Sequence, residues 1–233
     1  MTEQMVADNP YLDEYERMLN HQMSHGSAMP SLCGDIRQPW EYCIECRDYG
    51  EHHEKRRTWS WAIPNDKALD AIIRYSPTGL IEIGAGAGYW ASLLRQRGLD
   101  VLAFDKTPGD DTWSLSEPFT EVLTGDHTVV IGSPNRTLLL CWPCYSEDWT
   151  HEVVELYSGD TIIYIGEGNG GCTGDDKMHS LLGLSDNCWH DEGQETCDSC
   201  STESLFEEIE SVDIPQWAGL HDRLYVCRRK VDV

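Results

Sequence analysis

Two carboxylates and three glycines have the types and spacing to hold a ligand. Glu82 precedes Gly84, Gly86 and Gly88, and Asp105 closes the next apolar run. Glycines let a backbone turn sharply and approach a bound molecule closely, and carboxylates accept hydrogen bonds from ammonium and hydroxyl groups. The ligand this pattern suits is a nucleoside with a cationic tail. A second stretch, Gly166-Glu167-Gly168-Asn169-Gly170-Gly171-Cys172-Thr173-Gly174, places five glycines in nine residues. Packing alone would not use so many, because each adds to the entropy lost on folding. Its Glu167 is a candidate acid-base or amine-holding group. Tyr145 and His221 are the other candidates to position or deprotonate a nucleophile, histidine because it titrates near neutrality. Asp222 is expected to cap or pair locally, since adjacent residues seldom face each other along a strand.

These groups need a scaffold, and the hydrophobic pattern predicts one. Leu80-Ile81-Ile83 reads as a buried parallel strand. Tyr89 to Gln96 reads as a helix with Trp90, Leu93 and Leu94 on one face and Gly98 as its stop. Asn65 is placed to cap a helix carrying Ala68, Leu69, Ile72 and Ile73. Further strands are expected at residues 100 to 105, Thr120 to Leu123, Thr137 to Cys141 and Asp160 to Ile165. Helices are expected from Ser146 to Tyr157 and from Asp175 to Leu182, and Glu208 to Ile214 with Leu224 to Arg228 read as a closing antiparallel pair. Alternating strands and helices imply an α/β fold with a doubly wound, Rossmann-like sheet that binds ligands at the carboxyl ends of its strands. Residues 62 to 229 are expected to form this cofactor-binding domain. Residues 1 to 61 are expected to add an N-terminal arm and lid, with Tyr11, Tyr15, Met18 and Leu19 on an appended helix or loose arm. The sequence contains no internal repeat.

The dehydrogenase fingerprint requires glycine-x-glycine-x-x-glycine, whereas here the third glycine comes one position early and Tyr89 holds the expected place. Acid-x-Gly-x-Gly-x-Gly instead resembles the first motif of class I S-adenosylmethionine-dependent methyltransferases. That resemblance implies S-adenosylmethionine as cofactor, with Gly84, Ala85, Gly86 and Gly88 admitting it. Glu82 would orient its methionine ammonium and Asp105 would hold its ribose. Asp126, after Gly125, matches the place of an acid near the adenine amine, or forms a surface turn. In family members acting on amino groups the end of strand four often reads Asx-Pro-Pro-aromatic. Here Leu140-Cys141-Trp142-Pro143-Cys144-Tyr145 keeps Pro143 and Tyr145, but Trp142 stands in the Asx place and Cys144 in that of the second proline. Amino-methylation of a base is therefore not implied. Trp142 either stacks on the cofactor or closes the top of the sheet, and Trp61 in Ser60-Trp61-Ala62-Ile63-Pro64 either covers the methionine end or anchors the core. Together, Ser-Trp-Ala-Ile-Pro, Leu-Cys-Trp-Pro, Gly-Gly-Cys-Thr-Gly-Asp-Asp and Ile-Pro-Gln-Trp with His-Asp-Arg resemble a family of methyltransferase-like proteins known from bacteria, fungi and plants. This wider resemblance spans residues 59 to 229 and implies a fold and cofactor but no methyl acceptor. A non-catalytic module that keeps the fold as a scaffold is the competing expectation, motivated by Trp142 and Cys144.

Composition bounds the partners. Forty-one Asp and Glu face seventeen Lys and Arg, for a formal net charge of -24 over 233 residues. Such a surface repels polyanions, so bulk nucleic-acid binding is disfavoured. Few lysines among many acids resembles the composition of haloarchaeal proteins or of viruses infecting such cells, where salt screens every charge interaction. No run reaches the roughly eighteen apolar residues of a membrane span, and no basic start followed by an apolar run marks a signal peptide, so a soluble, cytoplasmic protein is expected. Ten cysteines in such a chain argue for thiols or metal before disulfides. Cys188, His190, Cys197 and Cys200, in a Cys-rich insertion at 185 to 202, can supply a tetrahedral structural zinc site. Alternatively Cys43 and Cys46 of the Cys-rich N-terminal extension join Cys197 and Cys200, or the thiols are incidental.

Overall fold

The computed structural model describes residues 8–24, 52–110, 114, 116–145, 147–168, 171–185 and 203–231. Its strands are β1 (Leu80–Ile83), β2 (Val101–Asp105), β3 (Leu123–Thr124), β4 (Thr137–Cys141), β5 (Thr161–Gly166), β6 (Phe206–Asp213) and β7 (Arg223–Arg229). They form one seven-stranded mixed sheet in the order β3-β2-β1-β4-β5-β7-β6. The first five pair in parallel, and β7 inserts antiparallel between β5 and β6. The helices are α1 (Pro10–Ser24), α2 (His53–Thr58), α3 (Asp66–Tyr75), α4 (Tyr89–Gln96), α5 (Trp149–Leu156) and α6 (Asp176–Leu182), with a 3₁₀ turn at His127–Gly132.

Strand alternation divides the core between the two faces of the sheet. Leu80, Ala103, Leu139 and Ile163 pack with Leu69 and Ile72 of α3, Trp90 and Leu94 of α4, and Tyr11 and Met18 of α1. Ile81, Leu138, Leu140 and Ile162 pack with Val153 and Val154 of α5 and Met178 and Leu182 of α6. Covered on both faces, β1 and β5 are buried along their whole length, and their sequences are correspondingly near-continuous in apolar residues.

Local chemistry fixes the element ends. The Asn65 side chain accepts from Ala68 N at 2.9 Å and starts α3, and Asp175 accepts from Met178 N at 2.6 Å and starts α6. The third strand departs from expectation. It occupies Leu123–Thr124, not Thr120 to Leu123. Arg95 of α4 donates to Thr120 Oγ1 at 2.6 Å and Glu121 O at 2.7 Å, which ties that stretch down on α4 before it reaches the sheet. Helix α1 is docked, not loose. Asn9 Nδ2 donates to Pro64 O at 2.8 Å, Trp217 Nε1 to the Tyr11 hydroxyl at 2.8 Å, and the Tyr15 hydroxyl to Gln216 O at 3.0 Å.

Among the described residues Cys141, Cys144, Cys172 and Cys227 are free thiols. No group of three or more His, Cys, Asp or Glu residues is arranged for a metal ion there. Cys43, Cys46, Cys188, His190, Cys197 and Cys200 lie outside the described residues. No described helix is long and apolar enough to cross a membrane.

Candidate active site

The carboxyl ends of β1, β2 and β4 bring the first group of site residues together. Glu82, the third residue of β1, sits between Ala103 and Leu139 of the adjacent strands. It is 2% exposed, and its Oε2 has no hydrogen-bond partner. Burial pushes its carboxyl up to about 8, against a downward pull from Arg95. That guanidinium is committed elsewhere, to Thr120, Glu121 and Val101 O. The strand thus holds a buried carboxyl, with one oxygen unpartnered, beside the loop that follows β1.

The glycine loop above it is built around Asp105. One Asp105 oxygen accepts from Gly86 N and the other from Thr107 N, each at 2.8 Å. Gly84 N and Ala85 N both donate to Phe104 O, at 2.9 and 3.0 Å. Gly88 has φ 74°, and a Cβ there would fall 2.7 Å from a Val122 methyl, so both conformation and space demand glycine. Around Gly86 a Cβ would meet nothing within 4 Å, which leaves its backbone open to a ligand. Asp126 is exposed and caps the 3₁₀ turn, accepting from Thr128 N at 3.0 Å and Thr128 Oγ1 at 2.6 Å. Those bonds hold its carboxyl below its ordinary value.

A second group forms where β4, β5 and β7 end. Trp142 is the only described non-glycine residue with positive φ, at 54°, a strained conformation for a bulky side chain. Its N donates to Ile165 O at 2.8 Å and its indole Nε1 to Asp222 Oδ1 at 2.7 Å. Its ring stacks on Trp61 with centroids 5.3 Å apart. The Arg56 guanidinium lies 4.4 Å from the Trp61 ring and 4.1 Å from that of Trp142, within cation–π range. Arg56 is buried, donates through Nε to Trp61 O at 3.2 Å, and leaves Nη2 without a partner. Pro143 is buried, and its carbonyl accepts from Gly174 N at 2.9 Å.

The candidate nucleophile-handling residues separate on inspection. Glu167 is buried, and both its oxygens are engaged, Oε2 by Cys172 N at 2.7 Å and Oε1 by His221 N at 3.1 Å. It therefore ties the glycine-rich loop to the turn before β7. Tyr145 is 58% exposed, and His221, in that turn, is exposed. Asp222, assigned from sequence to a local cap or pair, is instead 1% exposed and faces Trp142. Burial pushes its carboxyl up to about 6, with the Trp142 bond and the Arg56 charge acting against the rise. The signal for it lay in strand periodicity: Asp222, Leu224 and Val226 are all buried while the residues between are not, so the inward alternation of β7 extends one step before the strand. Arg56 had no such signal within Lys55-Arg56-Arg57.

No protein-family model matches the chain, and no curated protein matches it. It is similar to the solved 1,6-didemethyltoxoflavin-N1-methyltransferase of Burkholderia thailandensis, bound to 1,6-didemethyltoxoflavin and S-adenosylhomocysteine. The identity is 13% over 99% of this chain and 94% of that one, with a TM-score of 0.46. It is also similar to magnesium protoporphyrin IX methyltransferase of Synechocystis PCC 6803, at 12% identity over 94% of this chain and 91% of that one, TM-score 0.42. A protein of an antibiotic biosynthesis pathway in Anabaena variabilis aligns at 20% identity over 46% of this chain and 47% of its own, TM-score 0.33, so this chain spans about half of it. Likeness at this level leaves the site's chemistry to its own geometry.

Proposed function

We propose that the protein is an S-adenosylmethionine-dependent methyltransferase. The observation that carries the proposal is Glu82, a carboxyl 2% exposed with an unpartnered oxygen beneath a glycine loop. A buried charge without a partner costs several kcal/mol, and an ammonium group brought by a ligand offsets that cost. The residues present fit the cofactor. Glu82 suits the methionine ammonium, the open backbone at Gly86 suits close approach, and Asp105 keeps lone pairs for ribose hydroxyls while its two backbone bonds hold it still.

When bound, S-adenosylmethionine supplies a sulfonium methyl group that passes to a nucleophile and leaves a neutral thioether. The chain's part is mainly positioning, which can lower a barrier by about 7–11 kcal/mol when reacting groups are aligned. Glu82 and Asp105 would hold the two ends of the ligand. Trp61 stacks on Trp142 and the Arg56 guanidinium lies over both rings, so residues from before β1 meet the end of β4. Calorimetry with S-adenosylhomocysteine tests the proposal. Binding is expected at salt concentrations where the chain is folded, and its absence there overturns the reading. Transfer of a labelled methyl group to extract components separates an enzyme from a module that binds without turnover.

A further inference from the structure

We propose that Asp222 is the catalytic residue that holds the methyl acceptor and takes its proton, so that the acceptor reacts through a proton-bearing nitrogen or oxygen. The inference rests on the methyltransferase reading and names the class of nucleophile it serves. It starts from the end of β4, where Trp142 offers no acceptor oxygen but its indole N–H binds a buried carboxylate from another element. Asp222 approaches from the turn before β7 and meets the Trp142 indole at 2.7 Å.

Two buried carboxylates, Glu167 after β5 and Asp222 before β7, lie at this end of the sheet, and their hydrogen bonds divide the roles. Glu167 spends both oxygens on backbone N–H groups. Asp222 spends only Oδ1 on Trp142, and Oδ2 accepts no hydrogen bond among the described residues. A general base needs a free lone pair and an orientation fixed by its other atoms, and Asp222 has both. The indole sets the carboxylate plane, while the Gln216 amide donates to the Asp222 backbone carbonyl at 2.9 Å. Trp142 is itself immobilised by the Trp61 stack, the Arg56 guanidinium and its strained backbone.

Titratable groups on several elements interact electrostatically with Asp222. They are Tyr11 of α1, Arg56 of α2, Cys141 of β4, Tyr164 and Glu167 at β5, Tyr225 of β7 and the adjacent His221. Burial raises the three phenols and the thiol, so they stay protonated near neutrality. Arg56 is the positive charge that keeps the Asp222 carboxylate available. As the acceptor's N–H or O–H attacks the methyl carbon, the nucleophile's lone pair forms the new bond. The carbon–sulfur pair stays on sulfur, and the proton passes to Asp222 Oδ2, leaving a neutral carboxylic acid.

The test compares wild type with Asp222→Asn, which keeps an oxygen for Trp142 but cannot take a proton, and with Asp222→Glu. S-adenosylhomocysteine affinity should be unchanged within twofold in Asp222→Asn. Transfer of labelled methyl from S-adenosylmethionine to the dialysable small molecules of a cell extract should fall about 100-fold or more. Asp222→Glu should restore part of it, and the labelled product should be N-methyl or O-methyl. Transfer by Asp222→Asn within threefold of wild type overturns the proposal, as does an S-methyl or C-methyl product. The Trp142 indole N–H resonance, assigned with Trp142→Phe, gives a readout free of cofactor. It should titrate with a midpoint near pH 6 in the wild type and not in Asp222→Asn, and an indole that does not titrate overturns the proposal. Loss of S-adenosylhomocysteine binding by the wild type defeats the methyltransferase reading instead. An indole that still titrates then separates that failure from a failure of Asp222 as proton acceptor.

Discussion

Glu82→Gln should stabilise the folded chain and weaken its hold on cofactor, two opposite effects from one substitution. Burial moves the Glu82 carboxyl from 4.5 to about 8. Between those values the folded protein keeps a proton that the unfolded chain has released, so stability falls as pH rises. The slope reaches about 1.4 kcal/mol per pH unit. Integrated from 4.5 to about 8, the wild type loses about 3 kcal/mol by pH 7 and about 5 kcal/mol above pH 8. The variant has no proton to release and keeps that stability. Urea unfolding at roughly pH 5, 7 and 8.5 in constant salt measures the gap, which should be near zero at the acid end and widen with pH. In the same variant, loss of a charge-assisted hydrogen bond worth about 1.5–3 kcal/mol should weaken S-adenosylhomocysteine binding at least tenfold. Parallel stability profiles for wild type and variant would refute the buried, unpaired acid. Equal affinities would refute its contact with ligand.

Binding of S-adenosylhomocysteine at pH 7 should release about one proton, because the ligand ammonium returns Glu82 to its charged form; calorimetry in buffers of different ionisation enthalpy reads this, and heats independent of buffer would contradict it. Asp105→Ala removes the acceptor for the Gly86 and Thr107 N–H groups and should weaken S-adenosylhomocysteine binding more than tenfold by calorimetry, with the far-ultraviolet dichroism of the fold retained. Tyr11→Phe removes the hydroxyl that accepts from the Trp217 indole N–H and should lower stability by about 0.5–1.5 kcal/mol in urea, the measure of how firmly α1 is part of the fold.

The parallel half of the sheet was legible because its burial is two-sided. Leu80–Ile83, Thr137–Cys141 and the apolar core of β5 are runs that only a doubly covered strand uses, and Asn65, Gly88 and Asp175 mark helix starts by their own side chains or the lack of one. The first group of site residues was legible for a related reason: Glu82, the glycines and Asp105 belong to one strand–loop–helix–strand unit, so spacing along the chain carries their arrangement. The second group was legible only as separate candidates, Trp61, Trp142 and Glu167. Arg56 and Trp61 precede β1, whereas Trp142 follows β4, Glu167 follows β5 and Asp222 precedes β7, and nothing local distinguishes buried Arg56 from its neighbours Lys55 and Arg57. Thr120 to Leu123 misled for the opposite reason, since Val122 packs against the glycine loop at Gly88 while Arg95 takes the polar groups of Thr120 and Glu121.

Trp142 changes meaning once its surroundings are known. From sequence it marks the loss of an amine-gripping oxygen and so favours a scaffold without turnover. In the fold it is held at φ 54° by bonds to Ile165 and Asp222 and by rings and charge from α2 and Trp61. A strained backbone of this kind costs about 1–3 kcal/mol and persists only where neighbours over-determine it. A scaffold freed from catalysis has no reason to keep that strain, nor a carboxylate buried at 1% exposure, nor a buried guanidinium nitrogen, Arg56 Nη2, without a hydrogen-bond partner. Each costs stability, and the strained residue and the buried carboxylate meet in one hydrogen bond, from the Trp142 indole to Asp222 Oδ1. The tryptophan at the end of β4 therefore aims the carboxylate proposed to take the acceptor's proton.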